Sequence, residues 1–145
     1  MNRIWETEAP SQTQALGERL GQEALAGQVY CLDGDLGVGK TEFTKGFALG
    51  LGISEYVTSP TFTIINEYKG RLLLYHFDVY RVGSADEMED TGYEDYFYGE
   101  GVCLIEWAKM VADLIPEDAI WITIEKDYSK SDDYRLITMR TEGER

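Results

Sequence analysis

The sequence predicts one α/β domain spanning residues 1–145, with flanking helices around a mixed, mostly parallel sheet that also carries antiparallel hairpin strands. Three observations predict it. The short apolar run Val29-Tyr30-Cys31-Leu32 leads directly into a glycine-rich turn. A helical pattern then begins at Lys40, with Phe43, Phe47 and Leu51 on one face. Further apolar runs of strand length follow, separated by short polar turns.

Taken in chain order, Ser11 and Gln14 have capping-box spacing, and Leu16, Leu20 and Ala24 recur every four residues. That spacing predicts an amphipathic helix over about residues 11–26, with Gly17 and Gly21 as weak points inside it. The apolar run 29–32 is the buried strand, and Gly50 and Gly52 supply stop signals for the helix that starts at Lys40. Residues 61–68, the turn Lys69-Gly70 and residues 71–77 predict a hairpin. Residues 102–106 predict another buried strand, 109–115 a short helix, and 119–126 and 134–141 two alternating strands.

Composition narrows the function. A hydrophobic content of 43% in 145 residues suffices for an ordinary core without structural metal. The two cysteines, Cys31 and Cys103, sit inside apolar runs and have no CxxC spacing, so they are expected to fill the core. Thirteen basic residues against 27 acidic ones give a net charge of -14, a field that opposes polyanions and disfavours autonomous nucleic-acid or DNA binding. No apolar run approaches the roughly 20 residues needed to cross a bilayer, and residues 1–7 lack the order of an export signal. The expected location is the cytoplasm, away from membranes.

Residues Gly34-Asp35-Leu36-Gly37-Val38-Gly39-Lys40-Thr41 match the phosphate-binding pattern G-x-x-x-x-G-K-[ST] without departure, between a strand and a helix as that pattern requires. Glycines let the backbone curl so that its N–H groups point inward at phosphate oxygens, and the following helix adds its positive end. Lys40 is expected to reach the β- and γ-phosphates, and the Thr41 hydroxyl to ligate magnesium, with Glu42 in the same first turn. The fold class is accordingly a P-loop NTPase domain, with ATP and magnesium as its cofactors.

Such enzymes need a further acid at the C-terminal end of a buried strand, to hold the metal's water shell or orient the attacking water. Two acids qualify: Asp78 ends the run that begins at Leu72, and Glu106 ends the run that begins at Val102. Spacing does not rank them, and either also suits a helix cap or a solvated strand end. Thr61, after Ser59-Pro60, offers a hydroxyl where related NTPases carry a segment that senses the γ-phosphate, although an ordinary proline turn has the same composition. His76 lies two residues before Asp78, on the same side of the predicted strand, and is expected to be structural. Residues 86–98 mix acids with Tyr93, Tyr96, Phe97 and Tyr98, which suits a solvated helical face or a docking surface.

The motifs GDLGVGKT at 34–41, SPTF at 59–62, HFDVYR at 76–81 and LIEW at 104–107, in this order, resemble the TsaE family, also called YjeE. These are small bacterial ATPases of the machinery that makes threonylcarbamoyladenosine in tRNA. The resemblance implies slow ATP hydrolysis coupled to a TsaB–TsaD complex, with tRNA contacted only through partners. It further implies that Lys40 and Thr41 hold phosphate and magnesium, that Thr61 belongs to a switch-like segment, and that Asp78 and Glu106 serve the metal and the attacking water. Trp107 would lie beside the nucleotide, and residues 9–13 would approach the adenine.

Two other functions share the loop. A small-molecule kinase needs an acceptor site and a water-excluding lid, commonly with arginines on the transferred group. The seven arginines here are scattered, Arg81 being the best placed. A non-catalytic nucleotide switch needs neither Asp78 nor Glu106. A GTPase is disfavoured because no Asn-Lys-x-Asp element is present.

Overall fold

The computed structural model describes residues 2–35, 37–58, 60, 65–80 and 85–141. Its elements are β1 (Asn2–Thr7), α1 (Pro10–Glu23), β2 (Val29–Asp33), α2 (Lys40–Gly50), β3 (Ile65–Lys69), β4 (Leu73–Asp78), α3 (Ala85–Glu89), α4 (Tyr93–Phe97), β5 (Val102–Glu106), a 3-10 helix (Ala108–Leu114), β6 (Ile120–Glu125) and β7 (Arg135–Thr141).

The seven strands form one sheet in the order β1-β7-β6-β2-β5-β4-β3. Parallel pairings join β6, β2, β5 and β4 at its centre. Antiparallel pairings add β3 at one margin and β7 and β1 at the other, so only β3 and β7 run against the common direction. The four central strands are apolar runs because helices cover both of their faces. Along β2, Tyr30 and Leu32 enter the core under α1 and α2, while Val29 and Cys31 enter the opposite core with Phe77, Met88, Phe97 and Cys103. Both cysteines are buried in the core, as expected.

Helix α1 starts one residue earlier than its sequence spacing predicts and ends sooner. Pro10 restricts Ala9 to extended backbone (φ -155°) and presets the first helical φ, so Ala9 becomes the N-cap, with no side-chain cap bond. The Ser11–Gln14 box is therefore not made; instead the Glu8 amide donates to Gln12 Oε1 at 2.7 Å. At the other end, Arg71 Nη2 donates to the carbonyls of Gly21, Gln22 and Ala24 at 2.7–2.9 Å, supplying partners for groups a helix C-terminus leaves open.

Gly17 and Gly21 have a positive role that helix propensity does not reveal. A Cβ on Gly17 would stand 2.4 Å from the Phe43 carbonyl oxygen, and one on Gly21 2.2 Å from that of Phe47. From the opposing helix, a Cβ on Gly46 would stand 1.9 Å from the Gln14 oxygen and one on Gly50 2.1 Å from the Glu18 oxygen. The two helices meet backbone to backbone, and Phe43 and Phe47 of α2 fill the core beside the seam.

Strand β1 was not expected from the sequence; it is held by β7, with Asn2 opposite Arg140 and Thr7 opposite Arg135. The hairpin is present as β3 and β4 with Lys69 opposite Leu73, and the expected segment 61–64 lies outside the described residues. The helix expected at 109–115 is a 3-10 helix broken at Val111 (φ -129°).

Candidate phosphate-binding site

Strand β2 delivers the chain to Gly34 at the C-terminal edge of the parallel strands, the edge at which ligands of open α/β sheets bind. Gly37 (φ 75°) and Gly39 (φ 111°) take left-handed backbone that curls the loop into the start of α2. Gly39 is the N-cap of α2, and no side chain caps it. The first N–H groups of a helix have no intrahelical partner, so this end is left open to an anion.

The loop is pinned from outside. Arg135, the first residue of β7, donates from Nε to the Val38 carbonyl at 2.6 Å and from Nη1 to the carbonyls of Asp132 and Tyr134. Gly34 packs against β6, where a Cβ would stand 2.8 Å from the Ile124 oxygen. Below the loop, Lys109 Nζ pairs with Asp33 Oδ2 at 2.8 Å.

A cavity of about 330 Å³ opens beside the loop. Gly37, Gly39, Lys40, Thr41 and Glu42 line one side, and Asp78, Glu106 and Trp107 line the other. The parallel register explains why two acids 28 positions apart share this space: Asp78 stands directly opposite Glu106 at the ends of β4 and β5. Asp78 Oδ1 accepts the Tyr80 amide at 3.0 Å. Glu106 is buried, and its Oε2 lies 2.7 Å from His76 Nε2.

Lys40 is 7% exposed, and its Nζ lies 4.0 Å from the centroid of the Trp107 ring. The indole is a partial substitute for the hydration a buried ammonium gives up. Tyr80 packs on the same indole, with ring centroids 4.8 Å apart. A second cavity, of about 220 Å³, lies on the other side of Gly37 and Gly39, beside Pro10, Thr13, Val38 and Arg135. Asp35 and Val38 border a third, next to Tyr128.

The site therefore brings together Lys40, Thr41, Glu42, Asp78, Glu106 and Trp107, and Asp35 and Val38 lie on its flank. Thr61 and Arg81 lie outside the described residues. Sequence reasoning missed Arg135, Tyr80 and the contact of His76 with Glu106. Only His76 left a signal, its shared parity with Asp78; the reach of Arg135 to Val38 follows from strand order alone.

Residues 7–136, which contain all of these groups, match the family model described as threonylcarbamoyl adenosine biosynthesis protein TsaE. The chain belongs to the TsaE family. It is 49% identical over 142 residues to the TsaE protein of Bacillus subtilis (strain 168), covering 97% of this chain and 87% of that one. The TsaE protein of Treponema pallidum (strain Nichols) is 48% identical over 112 residues, 77% of this chain and 83% of that one. The crystal structure of Bacillus subtilis YdiB has the same fold, with a TM-score of 0.84 at 43% identity over 99% of this chain and 87% of that one. The family's role is in tRNA threonylcarbamoyladenosine biosynthesis, and this TsaE-family chain has no helix, among the described residues, long and apolar enough to cross a membrane.

Proposed function

We propose that this protein binds ATP with magnesium and hydrolyses it slowly in the cytoplasm, and that hydrolysis supports threonylcarbamoyladenosine formation by acting on a TsaB–TsaD complex. One observation carries the reading: the open start of α2 with Lys40 and Thr41 shares a cavity with the two strand-end acids Asp78 and Glu106.

The donors suit magnesium. Thr41, Asp78 and Glu106 offer hard oxygen atoms, and among the described residues no cluster of three His, Cys, Asp or Glu side chains forms a ready-made metal cage. Magnesium does not need one, because it keeps several waters and takes ligands from substrate phosphates. When bound, the ion would screen charge on the phosphate oxygens. The loop amides and Lys40 would hold the β- and γ-phosphates in line. Asp78 and Glu106 would anchor the metal's water shell and orient the attacking water. Adenosine has room in the smaller cavity beside Pro10 and Thr13, next to the phosphate loop.

A net charge of -14 supports contact with tRNA through partners and not through this chain's own surface. The test is ATP hydrolysis with and without a TsaB–TsaD complex, for wild type and Glu106→Ala. Stimulation by the complex and loss in the variant are expected; equal rates in all four samples would refute the proposal.

A further inference from the structure

We infer that His76 is a positioning residue for Glu106: its Nε2 hydrogen holds one carboxylate oxygen so that the other faces the cavity. The inference rests on the proposed hydrolysis reaction.

The backbone places the pair. His76 and Asp78 share one face of β4, and Leu104 and Glu106 share one face of β5. His76 stands opposite Leu104, and Asp78 opposite Glu106. Leu74 and Leu104 belong to the core under α1 and α2, so alternation turns His76 and Glu106 toward the helix that begins at the phosphate loop. His76 is 1% exposed and Glu106 6%, and Nε2 to Oε2 is 2.7 Å.

Hydrogen bonding then assigns the donor. His76 Nδ1 is buried and has no partner among the described residues. A hydrogen on Nδ1 would leave a buried donor unsatisfied, a heavier cost than a bare acceptor. Nε2 therefore carries the hydrogen and donates it to Glu106, an acceptor when ionised. Glu106 Oε1 makes no such bond among the described residues, and its side chain lines the cavity with Lys40, Thr41 and Asp78. A flexible three-bond side chain is thereby held at one end with its free oxygen presented to the reacting space.

Three proteins test this: wild type, His76→Leu, which removes the donor, and His76→Gln, whose amide nitrogen reaches the position of the histidine Nε2. The expected result is a loss of about 10- to 100-fold in kcat for His76→Leu, ATP affinity within about twofold of wild type, and recovery of most of the rate in His76→Gln. A purely structural role would change affinity and melting temperature together, without recovery. Wild-type protein that fails to bind or hydrolyse ATP would overturn the proposed function. Normal hydrolysis by folded His76→Leu would overturn this inference alone. Should that variant not fold, 15N-histidine labelling of wild type decides, since His76 is the one histidine of the chain. A hydrogen on Nε2 supports the assignment, and a hydrogen on Nδ1 alone overturns it.

Discussion

The ammonium of Lys40 rests 4.0 Å from the centre of the Trp107 ring, and Trp107 is the one non-glycine residue with positive φ (65°) among the described residues. Left-handed backbone is unfavourable for a bulky side chain, so the turn after Glu106 holds the indole over the lysine at some conformational cost. Phosphate binding should draw Lys40 off the ring and change indole emission. Trp107→Phe should abolish that response although Trp5 and Trp121 remain. Lys40→Ala should weaken ATP binding about 10- to 100-fold, from the roughly 1.5–3 kcal/mol of one charge-assisted hydrogen bond. An unchanged dissociation constant would remove Lys40 from the phosphate site.

Arg135 offers a test of the loop's outer support. Arg135→Ala removes the donor to the Val38 carbonyl, a bond of about 1 kcal/mol or somewhat more. Nucleotide affinity should drop about 3- to 10-fold while the far-ultraviolet circular dichroism spectrum is retained. Calorimetric titration giving wild-type affinity would mean that the loop holds its shape unaided.

The helix seam reverses an ordinary expectation. Gly→Ala inside a helix normally stabilises by about 1 kcal/mol through backbone propensity. At Gly46 the added Cβ would lie 1.9 Å from the Gln14 oxygen, so Gly46→Ala should destabilise by about 1–3 kcal/mol or more as overpacking outweighs propensity. A urea midpoint at or above the wild-type value would contradict the close approach.

Alkaline pH should weaken the fold. Burial pushes the Cys103 thiol from 9.0 to about 12, and burial, reinforced by the nearby Glu23, pushes the Tyr30 hydroxyl from 10.0 to about 12. Both groups stay protonated in the native state over a range where the unfolded chain has already lost the proton, so the unfolded state binds fewer protons there and stability falls as pH rises. The loss should begin near pH 9 and continue toward 12, read as a declining melting temperature. Cys103→Ala should flatten the lower part of that decline, and a pH-independent melting temperature above 9 would rule out the buried thiol as its source.

The parts of the fold legible in the sequence were those whose pattern is local. Residues 102–105 are a continuous apolar run closed by Glu106, and β5 has those limits; the loop from Gly34 to Thr41 carries its own spacing and lies at the start of α2. The N-terminal strand was not legible, because its pairing partner lies more than a hundred residues away and edge strands need little apolar character. The start of α1 was misplaced because the proline at its first turn outweighs a serine one position later. In the site, strand-end position singled out both Asp78 and Glu106, but only the β4–β5 register puts them side by side. Arg135 carries no motif, and its position against Val38 follows from β7 lying between β1 and β6.

The glycine seam between α1 and α2 bears on the mechanics of the site. Because carbonyl oxygens of each helix face the glycines of the other with no side chain between them, there is no compliant layer that would let α2 slide or tilt alone. The glycine-rich loop runs into the first turn of α2, so its backing depends on the close approach at Gly17, Gly21, Gly46 and Gly50, none of which lines the cavity beside it. The shape of the loop thus depends on helix contacts made at a distance from the cavity it borders.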